Sequence, residues 1–227
     1  MNAPLIIWVV FASFALPVFA AGWRWHALDR SMKLVSAWYA LLVCECALAI
    51  AWAHFVDASN NLVLAQVGLP LEASLVLAAL AEWQVHPIAR TTVRITIPLY
   101  WVAWSVAFVF FEGVGNYSTL SGPLLGLLVP AAALSAFVAR VQRDEEPALD
   151  AGWGWVLPGL AMFFAINATA TILMAIAAAE RNYALMVNAT VLRAWIYLFA
   201  TLVITWGLVW PTRRRSSGRS SSRPLSR

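Results

Sequence analysis

The chain has 227 residues, of which 62% are hydrophobic and only 11% charged, with 13 tryptophans and a formal net charge of +4. Soluble domains average roughly 45–50% apolar and ~25% charged residues, so this composition excludes a water-soluble globular fold. At ~20 residues per spanning helix the length holds about seven spans with short loops and no soluble domain, so any output would come from the bundle itself or from a partner chain.

Long, continuous apolar runs with aromatic and charged flanks predict an all-α, polytopic membrane protein with seven transmembrane helices. The spans are read at 3–22, 34–55, 62–83, 94–112, 119–140, 153–179 and 188–210. Prolines 17, 70, 98, 130 and 158 fall inside spans and predict kinks. Residues 1–211 form the bundle, and 212–227 a disordered basic cytoplasmic tail.

In the first span "ALPVFAAG" resembles a signal-peptide cleavage site, but no basic segment precedes it, and the span is expected to be retained. The second, in "LVCECALAI", carries Glu45 at its centre, with Trp38 and Trp52 seven residues to either side and so on the same helix face. Cys44 and Cys46 lie about 200° apart on that helix, which suits apolar fillers better than a shared metal or a disulfide. The third span holds Gln66 and, in "GLPLEASLV", Glu72. The fifth opens with "TLSGP", which resembles the Ser-Gly of an intramembrane serine protease without its leading glycine. The acidic "RDEEPALD" that follows it reads as a solvated loop. The sixth contributes Asn167 and Thr171, one turn apart. The seventh carries Arg193, Tyr197, Thr201 and Thr205 at four-residue spacing, a polar stripe expected to face the bundle interior.

Basic residues set the orientation. Arg24, Arg30, Lys33, Arg90, Arg94, Arg140 and Arg143 belong to alternate connections, and Arg213, Arg214, Arg215, Arg219, Arg223 and Arg227 to the tail, while the other side has only Arg181. The positive-inside rule then puts the N-terminus outside and the C-terminus in the cytoplasm, in a multi-pass protein of the cell inner membrane. The tail "TRRRSSGRSSSRPLSR" is expected to lie on anionic lipid, at about 1 kcal/mol per basic group near the surface. Beyond the bilayer, the partner it leaves room for is a cytoplasmic or membrane protein; no nucleic acid is expected.

Glu45 and Glu72 belong to adjacent antiparallel spans at similar depth. An ionised group there costs about 2.5–3.5 kcal/mol. Holding an ordinary glutamate neutral at pH 7 costs about 3.7 kcal/mol. These costs nearly cancel, so local surroundings decide the charge, and at least one of the pair is expected to be protonated. Two roles stay open for them: a plain interhelical hydrogen bond, or a proton relay, coupling site or ligand anchor. Arg193 is read a few residues below the outer boundary and pointing outward; pairing with either glutamate competes with Glu112, Glu180, Asp57 and with snorkelling to headgroups. Asn60, Asn61, Asn116 and Asn188 near the same boundary read as helix caps, or as signs of a cavity open to the outside.

Several activities find no residues. Retinal attachment needs a lysine in the last span, and the only lysine is Lys33. His26, His54 and His86 fall on alternating faces, so no clustered metal site or haem pair is expected, and none of them can activate Ser121. No enzyme activity and no cofactor are expected. A transporter built from two three-helix repeats matches at Pro17 and Pro130 but not at Glu45 and Pro158.

The stretches "NNLVLAQVGLPLEASLV", "WGWVLPGLAMFFAIN" and "NATVLRAWIYLFATLVITWGLVW" resemble the layout of small, uncharacterised bacterial seven-helix membrane proteins. Similar modules are the sensory portions of bacterial signalling proteins. The resemblance implies a sensory or small-ligand-binding protein with an outward-facing polar cavity, signalling through a partner. The candidate residues are Glu45, Glu72, Arg193, Tyr197, Asn167 and Gln66, either as a ligand site or as a proton relay. The alternatives are a proton-coupled small-solute transporter using the glutamates, or an accessory subunit of a membrane complex.

Overall fold

Proline decides how the first apolar run folds. In the computed structural model, which describes residues 5–55, 62–113, 118–143, 148 and 151–210, that run is two helices, α1 (Leu5–Ser13) and α2 (Ala15–Arg24). Pro17 has no N–H for the Ser13 carbonyl and its ring crowds that group, so the hydrogen-bond ladder is interrupted at Phe14, whose backbone keeps α-helical angles. The Ser13 hydroxyl turns back to donate to the Val10 carbonyl at 2.7 Å. Pro70, Pro98, Pro130 and Pro158, by contrast, lie inside helices that continue through them.

The remaining helices are α3 (Arg30–Phe55), α4 (Leu62–Trp83), α5 (Pro87–Ala107), α6 (Ser121–Arg143), α7 (Gly152–Ala179) and α8 (Tyr183–Val209). Counting α1 and α2 as one, seven helices are long and apolar enough to cross a membrane, and no strand occurs among the described residues. Two helices begin well before their predicted starts. Pro87, whose missing N–H costs nothing at the first helical position, opens α5 ahead of Arg90 and Arg94. Asn182 opens α8, its Oδ1 accepting from the Leu185 N–H at 3.0 Å. Asn188 is thus an exposed residue inside the helix and not its cap. At the end of α5 a π-turn spans Phe108–Glu112, with the Gly113 N–H bonded to the Phe108 carbonyl at 2.9 Å.

Six of the seven spans close a ring: α1 and α2, together one span, pack on α8, α2 on α3, α3 on α4, α4 on α6, α6 on α7 and α7 on α8. The α5 helix stands outside, against α4 and, more lightly, α6. Small residues let backbones approach, as in membrane helix pairs. A Cβ at Gly126 would meet the Ala168 Cβ at 2.5 Å and the Phe164 carbonyl oxygen at 2.8 Å, and one at Gly207 would meet the Gly152 carbonyl oxygen at 2.7 Å.

The two ends of the bundle differ. At the end carrying the basic residues, the Arg24 guanidinium caps α8 through the Leu208, Val209 and Trp210 carbonyls. There Arg94 pairs with Glu82 at 2.9 Å and Arg30 with the same carboxylate at 3.8 Å. Arg140 donates to the Trp83 carbonyl at 3.1 Å and lies over the Trp153 ring. At the opposite end α3 loosens: its buried residues all fall in Ser31–Leu42, and Cys44, Leu48, Trp52 and Phe55 are exposed. The expected Trp38, Glu45, Trp52 stripe is therefore divided, Trp38 lying in the core and Trp52 outside.

Candidate functional site

The centre of the ring is aromatic. Trp38 and Tyr39 of α3, Phe14 between α1 and α2, Phe163 and Phe164 of α7 and Tyr197 of α8 contact one another, the Phe163 and Tyr197 rings stacking at 4.0 Å and 3°. Around this cluster, toward the loosened end, is a cavity of about 250 Å³. Its polar lining comes from three helices and one loop residue: Gln66 and Glu72 of α4, Asn167 and Thr171 of α7, Arg193 and Tyr197 of α8, and Ser118.

Glu72, Asn167, Tyr197 and Arg193 each have a neighbour that positions them. The Trp38 indole N–H donates to Glu72 Oε2 at 2.9 Å, both side chains being buried. The Tyr197 hydroxyl donates to Asn167 Oδ1 at 2.7 Å. The Arg193 guanidinium lies 5.8 Å from the centroid of the Tyr197 ring and forms no ion pair among the described residues. The stripe below it faces inward as its spacing predicts: Thr201 is fully buried and accepts from the Tyr39 hydroxyl at 3.2 Å, and Thr205 donates to the Thr201 carbonyl at 2.7 Å.

Five of the six residues singled out from sequence, Gln66, Glu72, Asn167, Arg193 and Tyr197, thus line one cavity. Glu45 does not. Its carboxyl occupies the notch left by Gly68 on α4, one turn from Glu72, and its buried Oε1 has no hydrogen-bond partner. Arg193 is deeper than its sequence position suggested, because α8 starts at Tyr183. Arg193, Glu72 and Glu45 each lie about ten residues, or ~15 Å, from the loosened ends of their helices.

The rim acids read as partners of Arg193 are engaged elsewhere or stand apart. Glu112 is buried and accepts from the backbone N–H groups of Leu120 and Ser121 at 2.6 and 2.8 Å and from the Ser121 hydroxyl at 2.7 Å. It caps the start of α6, where bare N–H groups favour a carboxylate. Glu180 is exposed at the end of α7. Asp57, Asn60, Asn61, Asn116, most of the 143–150 segment and the basic tail lie outside the described residues. Cys44 and Cys46 are free thiols, and no group of three His, Cys, Asp or Glu side chains among the described residues could hold a metal ion.

No family model, curated protein or solved structure matches this chain. Function must therefore be argued from the cavity's own chemistry. Sequence reading missed three parts of it: Trp38 as the donor to Glu72, Phe163 as the stacking partner of Tyr197, and Ser118 at the rim. Four-residue spacing along one helix reveals a face, but these are contacts between helices, which no spacing within a helix encodes.

Proposed function

We propose that this chain is a multi-pass membrane protein of sensory or small-ligand-binding type, related in layout to the small bacterial seven-helix proteins it resembles. Its cavity opens outward, and it signals through a cytoplasmic or membrane protein partner. In this reading the protein lies in the cell inner membrane with its N-terminus outside, its basic end on the cytoplasmic side and its tail on anionic lipid. The observation that carries it is the convergence of Gln66, Glu72, Asn167, Arg193 and Tyr197 on one cavity about 15 Å inside the bundle. Apolar pockets with a few convergent polar groups are where small molecules bind, and ionisable residues at membrane depth mark functional paths.

The test is thermal unfolding of the protein in nanodiscs across a library of small water-soluble solutes. At least one solute should raise Tm in the unmodified protein and lose that effect in both Glu72→Ala and Arg193→Ala. An unchanged shift in both variants removes the cavity from the account. Orientation is checked separately, by protease or thiol-reagent access to a tag on the tail in intact cells; a tag accessible from outside reverses it.

A proton-coupled carrier is the second reading, and Glu45 favours it: a buried, unbonded carboxylate oxygen one turn from Glu72 suits a group that exchanges a proton. In that case Glu72→Gln abolishes pH-dependent solute flux in proteoliposomes while leaving the fold intact.

A further inference from the structure

Glu72 and Arg193, an acid and a base, line the same cavity and do not pair with each other. Among the described residues Glu72 takes one hydrogen bond, from Trp38 to Oε2. Arg193 has the face of Tyr197 beside it and no carboxylate within ion-pair distance among the described residues. In a space walled by apolar side chains each charge is costly unless something answers it. A guest of one sign would answer one of them and leave the other; a guest of both signs answers both.

We infer that the cavity takes a small zwitterion, a free amino acid or a compound of that class, with its carboxylate on Arg193 and its ammonium on Glu72. The inference rests on the ligand-binding reading above and specifies its ligand. Guanidinium and carboxylate match as a planar pair of donors and acceptors. The stacked Phe163 and Tyr197 rings offer an apolar wall to the carbon frame between the two charges, and Asn167, fixed by the Tyr197 hydroxyl, adds a polar contact at its edge. The volume of about 250 Å³ lies just below the roughly 300–1,000 Å³ of common small-molecule sites, which limits the guest to a compact solute. Zwitterionic phospholipid headgroups have the same chemistry but stay at the bilayer surface. The two charges lie ~15 Å along their helices, near the middle of a hydrocarbon layer about 30 Å thick.

The experiment is binding by calorimetry in phosphatidylglycerol nanodiscs, which present no zwitterionic headgroup. The panel is the common free amino acids and γ-aminobutyrate, each compared with its decarboxylated amine and its deaminated acid. At least one zwitterion should bind at least tenfold more tightly than both of its singly charged analogues. Glu72→Gln should weaken that zwitterion at least tenfold while leaving the deaminated acid within twofold, and Arg193→Gln should do the reverse with the amine. The analogue comparison uses the unmodified protein, so it decides the matter even if a variant fails to fold. An amine or acid that binds as tightly as its parent zwitterion overturns the inference and leaves the ligand-binding reading standing. So does a panel without binders when a solute from the wider library still depends on the cavity. Failure of both panel and library ends both. Binding that appears only when phosphatidylethanolamine replaces phosphatidylglycerol assigns the site to lipid and overturns the free-solute inference.

Discussion

Trp38 and Glu72 meet in the middle of the bundle: the indole N–H of one helix donates to the carboxylate of the next at 2.9 Å, with Trp38 fully buried. Removing the donor should leave a buried carboxylate short of a partner. Trp38→Phe is therefore expected to cost about 1–3 kcal/mol. The control is Trp38→Phe combined with Glu72→Leu, where donor and acceptor go together and the loss should be less than the sum of the two single losses. Unfolding in mixed micelles measures all three variants; strictly additive losses would mean that the contact contributes nothing.

Much of this architecture was legible because hydropathy is a property of single helices. The third and sixth spans fall within a residue of α4 and α7, and the inward stripe from Arg193 to Thr205 follows from a periodicity of four. Errors arose where a charge lies inside a helix end. Arg90 and Arg94 looked like a loop because hydropathy ignores the long apolar stems that let arginine reach the surface. Which helices become neighbours is not written in hydropathy at all. In the bundle α4 packs on α3 and α6 with α5 outside, and Glu72 lines the cavity while Glu45, on the adjacent helix, does not. Five of the polar exceptions in these apolar runs line the cavity, while Glu45 does not and Asn188 is exposed.

Two glycines should respond differently to alanine. At Gly68 a new Cβ would run into the Glu45 carboxyl, which is the tip of a flexible side chain and can swing away. At Gly126 it would meet the Ala168 Cβ and the Phe164 carbonyl, which are fixed to α7. Gly126→Ala is expected to destabilise by about 1–3 kcal/mol, as overpacking does, and Gly68→Ala by less. Gly68→Ala should nonetheless expel Glu45 from its notch, raising the labelling of Glu45 by a hydrophobic carbodiimide. Mass spectrometry of the labelled peptide reads this, and unchanged labelling would mean that the notch does not hold the carboxyl.

Glu112 is bound to the start of α6 by three hydrogen bonds, so its role is predicted to be structural. Glu112→Ala should lower stability by about 0.5–2 kcal/mol, the range for losing a helix N-cap. Solute binding at the cavity should remain within twofold of the unmodified protein. If Glu112→Ala abolished solute binding with little effect on Tm, the carboxylate would belong to the site instead.

Tyr197 does two things that one substitution can separate. Its ring stacks on Phe163 and carries Arg193 on its face, while its hydroxyl orients Asn167. Tyr197→Phe keeps the stack and loses the hydroxyl, and interhelical hydrogen bonds in membrane bundles average about 0.6 kcal/mol, so the stability change should be of that size. Tyr197→Leu loses the ring as well and should add the cost of an aromatic pair, about 0.5–1.5 kcal/mol, together with a poorly filled core. Solute affinity gives the second readout. An Asn167 freed from the hydroxyl should weaken a bound solute in Tyr197→Phe, by more than any change in Tm predicts. Equal affinities in Tyr197→Phe and the unmodified protein would mean that the orientation of Asn167 does not matter to the guest.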